Sequence, residues 1–160
     1  MDQAAANIVY AAKPEITVHQ WAFDTTVYVF DRPGSYQNCP GIGYGGTATT
    51  QALDAAYEWA KNAKGQRGII LATDGYPTTL RARDSVGNAA LDLQNVLRDI
   101  RNAGVTLSVL CYGQEHTREH FDNAFGAAQY GLFHNPGSMA QGLLATARVM
   151  AMNHIKKTTR

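Results

Sequence analysis

Cysteine is scarce in this chain: Cys39 and Cys111 stand far apart, and neither belongs to a CxxC pair. That excludes a disulfide scaffold and a cysteine-rich metal cage, and it points to a reducing, cytoplasmic setting. Long apolar runs are missing as well. Every hydrophobic stretch meets a polar residue or a glycine within a handful of positions, well short of the ~20 residues that cross a bilayer. The first residues lack the basic and apolar regions of a secretory leader, so no membrane contact is expected. Neither sign of charge prevails. Fourteen Lys and Arg against thirteen Asp and Glu leave a formal +1, too little field to draw nucleic acid or anionic lipid.

What is present suits one compact α/β domain. The chain has 160 residues, 45% of them apolar, enough for one full core and too few for two. The expectation is a single domain over 1–155 followed by a solvated basic tail over 156–160. An Ala-rich stretch from Ala4 to Lys13, stopped by Pro14, reads as a helix. The run Ile16 to Phe23 and the run Val27 to Phe30 read as an antiparallel hairpin. Residues 32–46 hold so many Pro and Gly that only a loop fits.

From residue 47 onward helices and strands alternate. Leu53, Ala56, Tyr57 and Ala60 predict an amphipathic helix over 47–63, and the run Ile69 to Ala72 predicts a strand over 68–73 covered on both faces. Leu93, Val96, Leu97 and Ile100 form one stripe of a helix over 88–103, with Asn88 as N-cap and Gly104 just beyond its end. A strand over 105–112, a short helix over 117–125, a strand over 131–134 and a closing helix over 138–154 follow. In the last of these Leu143, Leu144, Ala147, Met150 and Ala151 are expected inward. The pattern predicts a mostly parallel sheet with helices on both faces and one antiparallel edge.

Ligands of such sheets gather outside the carboxyl ends of the strands. Two loops belong there: the glycine-rich loop that ends at Thr47, and the turn Asp74-Gly75 after the 68–73 strand. Gly43, Tyr44, Gly45 and Gly46 bring nearly bare backbone to a helix start, and Gly75 does the same beside Asp74. A hydroxyl at Thr47 and a carboxylate at Asp74 are hard oxygen donors, the type that Mg²⁺ takes together with several waters. Read singly, the threonine is an ordinary helix-start hydroxyl and Asp-Gly an ordinary turn.

The segments YGGTATTQALDAAYE and RGIILATDGYPT, in that order, resemble the von Willebrand factor type A family. The run VHQWAFDTTVYVF is similar to that family's second and third strands, with Phe23-Asp24 at a characteristic place. The resemblance implies a three-layer, Rossmann-like α/β sandwich. It also implies a metal-ion-dependent adhesion site in which Thr47 and Asp74 are ligands of Mg²⁺. The implied function is protein–protein interaction, with an acidic residue of the partner completing the cation's shell. Some members serve an AAA+ ATPase, and such an ATPase is the implied partner here.

One family element is absent from the sequence. Members open with a central apolar strand ending in Asp-x-Ser-x-Ser, which supplies the principal carboxylate and two hydroxyls; no such motif occurs here, and the chain opens Met1-Asp2-Gln3. The expectation is a domain truncated before or at that motif, lacking its first, central strand, with Mg²⁺ binding weak or lost. The strands at 16–23 and 68–73 would then either pair directly in a rearranged five-stranded sheet or leave a domain that is unstable, aggregation-prone or completed by another chain.

Two enzymatic readings compete. His116-Thr117-Arg118-Glu119-His120 matches the HxxEH string of zinc hydrolases, which needs His116 and His120 on one helical face with Glu119 as base. The loop 41–46 suggests a nucleotide site, but no parallel strand leads directly into it and no acidic residue closes a following strand at the required distance. His19, His134 and His154 read as structural, and Trp21 and Trp59 as packing residues.

Overall fold

The computed structural model describes residues 19–23, 26–30, 47–75, 78, 87–128 and 130–158. The expected helix from Ala4 to Lys13, Cys39, Asp24 and the loop residues Gly43, Tyr44, Gly45 and Gly46 lie outside the described residues. The elements run β1 (Gln20–Phe23), β2 (Val27–Phe30), α1 (Thr49–Asn62), β3 (Gly68–Thr73), α2 (Ala89–Asn102), β4 (Thr106–Tyr112), α3 (Arg118–Phe125), β5 (Tyr130–Phe133) and α4 (Pro136–Thr158). The architecture is α/β, with a small parallel sheet of order β3-β4-β5.

Burial explains the sheet order. In β4 three consecutive residues, Val109, Leu110 and Cys111, are buried, as a strand covered on both faces requires. In β3 only the alternate residues Ile69, Leu71 and Thr73 are buried, while Ile70 and Ala72 are half-buried. The fully covered strand is thus the central one, and β3 departs from the two-sided burial that its apolar run predicts.

The core lies between one face of this sheet and α1, α2 and α3. Leu53, Ala56 and Ala60 of α1, the full stripe Leu93, Val96, Leu97 and Ile100 of α2, and Phe121, Ala124 and Phe125 of α3 join Ile69, Leu71, Val109 and Cys111 in one buried cluster. Asn88 caps α2 as its type demands, its Oδ1 accepting the Leu91 N–H at 3.1 Å. Gly104, at φ +68°, takes the left-handed position past the helix end. Arg67 joins two helix ends: it donates to Lys61 O at 3.2 Å and to Ala103 O at 2.7 Å, a cation where the macrodipoles of α1 and α2 are negative.

The opposite pleat of β3 meets α4, where the Met150 sulfur abuts Gly68. The expected inward residues Leu143, Leu144, Ala147, Met150 and Ala151 are only half-buried, and Met139 is the buried hydrophobic residue of this helix among the described residues. The reason is width. Three strands span about 10 Å from edge to edge, roughly one helix diameter, so the flanks of the apolar stripe overhang the sheet. α4 also runs through Lys156 and Lys157 to Thr158, so the expected solvated tail is helical over its first residues.

The hairpin differs most from expectation. β1 and β2 pair antiparallel, Trp21 opposite Val29, but they form a separate two-stranded sheet. β1 and β3 both lie against α1, and among the described residues they do not pair with each other, so the five-stranded sheet by direct pairing is not seen there. The hairpin is fixed by its aromatic residues instead. Trp21 packs edge-on against Trp59 of α1 at 6.0 Å between ring centres, and the exposed His19 lies 4.3 Å from the Trp59 ring. Trp21 and Phe23 reach the main core from this side.

Candidate functional site

The site is built where β3 ends and α1 begins. Thr73, buried at the last position of β3, turns its hydroxyl onto the next two residues: Oγ1 accepts the Gly75 N–H at 3.3 Å and lies at the same distance from Gly75 O. Such a bond closes a tight turn and presents Asp74, which is exposed, at its tip.

The start of α1 is brought to the same place by two contacts. A Cβ on Gly75 would stand 2.6 Å from Thr47 Oγ1, closer than atoms pack, so glycine is what lets the threonine hydroxyl sit on this turn. Beyond the turn, Thr78 forms a two-way clasp with Thr47: Thr47 N–H donates to Thr78 Oγ1 at 2.6 Å, and Thr78 N–H donates to Thr47 O at 3.1 Å. Thr47 and the turn Asp74-Gly75, 27 positions apart in sequence by subtraction of their numbers, are therefore neighbours at one rim of the sheet.

Two further hydroxyls went unnoticed in the sequence. Thr49 and Thr50 open α1, both are completely buried, and neither Oγ1 has a hydrogen-bond partner. The N-cap, Ala48, has no side chain to satisfy the helix end, and no acidic residue stands in the first turn. The sequence signal was the threonine run itself, but burial of both hydroxyls is a property of packing that no local spacing encodes.

For a divalent cation the rim offers the Thr47 hydroxyl, seated on Gly75, and the exposed carboxylate of Asp74. Those residues fit a hydrated Mg²⁺ held through few protein oxygens. Among the described residues no three His, Cys, Asp or Glu side chains converge as a metal-binding group.

The zinc-hydrolase string is not on one helix. Glu115–Thr117 is a 3₁₀ turn, and α3 begins only at Arg118. A 3₁₀ turn winds three residues per turn, so residues 116–120 are not spanned by the one continuous α-helix that the string presumes. The turn is held by Arg118, which grips both carboxylate oxygens of Glu115, and this hydrogen bond keeps the Glu115 carboxyl below its usual range. Glu119 and His120 are exposed. At the neighbouring strand end His134 Nδ1 is 2.8 Å from Gly113 O, a structural bond between the ends of β4 and β5.

Burial pushes the Cys111 thiol up to about 12, so it is an inert core residue. Burial, and then the hydrogen bond to Asp122 at 2.8 Å, push the Tyr130 phenol up to about 12 as well. No helix among the described residues is long and apolar enough to cross a membrane. Compared with protein-family models and with curated proteins, the chain matches none.

Proposed function

We propose that this chain is a protein-interaction domain of the von Willebrand factor A type, whose rim at Thr47 and Asp74 is a partial metal-ion-dependent adhesion site. The observation that carries this reading is the seat of the Thr47 hydroxyl on Gly75, directly beside Asp74 and at the carboxyl end of β3. That is where an α/β sheet offers its loops to ligands. Thr47 Oγ1 and the Asp74 carboxylate would hold Mg²⁺, and the cation would supply a positive bridge to an acidic residue of the partner protein. With two protein oxygens the remaining positions fall to water and to that partner, so affinity for the ion alone is low.

The fuller architecture belongs to the same proposal: a three-layer, Rossmann-like sandwich whose first, central strand, which the resemblance puts between β1 and β3, is missing. In its support, β1 and β3 lie against the same helix, and among the described residues each pairs on one side only. A cytoplasmic setting accords with the free thiol of Cys111. The resemblance adds an AAA+ ATPase as a partner of this kind of domain.

The experiment is a calorimetric titration with Mg²⁺ and Mn²⁺ of the native chain, Thr47→Val and Asp74→Asn. The expected result is binding on the order of millimolar in the native chain, as for sites with few protein ligands, and its loss in both variants. Absence of any heat, or equal binding by Asp74→Asn, would sink the reading.

A further inference from the structure

The outer edge of β3 is open among the described residues. Arg67 O accepts the Thr106 N–H at 3.0 Å, and Gly68 stands opposite Thr106 in the parallel register with β4. In a parallel ladder alternate residues face the same neighbour, so Arg67, Ile69, Leu71 and Thr73 turn their backbone groups to β4. Gly68, Ile70 and Ala72 turn theirs the other way, where no described strand pairs with them. Exposed edges are ordinarily blunted by charge or proline, and β3, with the sequence GIILAT, has neither.

What this edge can take is set by its surroundings. β1 does not pair with β3, so the two stand farther apart than the ~4.8 Å of neighbouring strands, yet one helix about 10 Å across touches both. That interval holds one extended segment and is too narrow for the sheet of a second copy. On one face of it lies α1, with Trp59 and Trp21 half-buried at the hairpin side. On the other face α4 crosses the sheet, from Gly142 beside Phe133 of β5 to Met150 beside Gly68 of β3. Val149 and Met152, on either side of that last contact, are 57% and 56% exposed. A strand lying between two such helices buries both of its faces, so its side chains must be apolar throughout rather than in alternation.

We infer that the outer edge of β3 takes up one extended, uncharged, apolar segment of a partner protein as an added strand, about as long as the six residues of β3 itself. The backbone groups of Gly68, Ile70 and Ala72 supply the hydrogen bonds, and the exposed end of α4 covers the segment's side chains. This surface goes beyond the cation rim: it uses neither Thr47 nor Asp74 and needs no metal.

The test uses the whole chain in the presence of chelator, with the peptide KKVVIVLVKK and, as control, KKVPPVLVKK, whose prolines remove donors and interrupt a ladder. The readout is amide hydrogen exchange along β3. In the free chain Ile69 and Leu71 are expected to exchange slowly, and Gly68, Ile70 and Ala72 fast. With peptide at about a hundred times its dissociation constant, exchange at those three is expected to slow about a hundredfold, while the control leaves it fast. Ile70→Pro, at an N–H that faces away from β4, is expected to keep the circular dichroism of the fold and to lose the response. Met152→Asp, exposed in the free chain, is expected to keep the thermal midpoint and to weaken the peptide about tenfold, the scale of one apolar side chain's burial. Unchanged exchange with KKVVIVLVKK, equal slowing by the control, or an undiminished response in either variant overturns the inference. If Ile70→Pro unfolds, the control peptide and Met152→Asp decide. Slow exchange at all three residues in the free chain that fades on dilution assigns the edge to a second copy, and slow exchange at any concentration assigns it to the chain's own residues; each overturns the inference. Loss of the cation titration with the peptide response intact overturns the adhesion-site reading and leaves this one standing.

Discussion

Thr47 Oγ1 rests on Gly75, 2.6 Å from the position that a Cβ there would occupy. Gly75→Ala therefore forces the α1 entry loop away from the β3 turn, and the clasp between Thr47 and Thr78 strains with it. The expected cost is about 1–3 kcal/mol, the range for overpacking a fitted contact. Urea unfolding of a double-mutant cycle checks the cause. In a Thr47→Ala background the same glycine substitution should cost much less, because the clashing hydroxyl and methyl are gone. Equal costs in the two backgrounds would place the strain elsewhere.

Asn88→Ala removes the acceptor for the Leu91 N–H at the start of α2. The expected loss is about 1 kcal/mol, seen as a lower urea midpoint with an unchanged slope. Asn88→Asp keeps an acceptor there and should restore most of the loss. A fall as large as that of the alanine variant would show that the cap bond is not what position 88 contributes.

How much of this was legible without coordinates divides along the range of the interaction. The helix α2 could be read completely, from Asn88 at its cap to Gly104 beyond its end, because a cap, a stripe and a stop are all local. The proximity of Thr47 to the Asp74-Gly75 turn was also legible, since the alternation of strands and helices sends both loops to one rim. The separation of the β1-β2 hairpin from the parallel sheet was not. It depends on which edges hydrogen-bond across the fold, and the apolar content of β1 and β3 is compatible with either arrangement. The winding of the HxxEH string was not legible for a related reason: its spacing presumes an α-helix, whereas Glu115–Thr117 winds as a 3₁₀ turn held by Arg118. The orphan hydroxyls of Thr49 and Thr50 were invisible, because a threonine at a helix start ordinarily finds water or a carbonyl.

The alkaline limb of stability follows from Cys111 and Tyr130. Burial raises the thiol from 9.0 to about 12, and burial with the Asp122 hydrogen bond raises the phenol from 10.0 to about 12. In both cases the folded state holds the proton more tightly than the unfolded chain. Between the unfolded and folded values the native state therefore binds more protons, and the derivative of unfolding free energy with pH is negative. The contribution is complete below the unfolded pKa of each group and disappears as pH rises toward about 12. The thermal midpoint is thus expected to fall steadily above pH 9, the thiol's starting value. Cys111→Val, close in volume and without an ionisable group, should flatten the thiol's share of that fall while Tyr130→Phe flattens the phenol's. In the native chain at pH 8, about one unit below the thiol's unfolded value of 9.0, the thiol should resist a thiolate-selective reagent until denaturant is added, at a rate that follows the opening of the core around Val109 and Phe125. Prompt labelling of the folded chain would contradict the burial from which the whole alkaline argument starts.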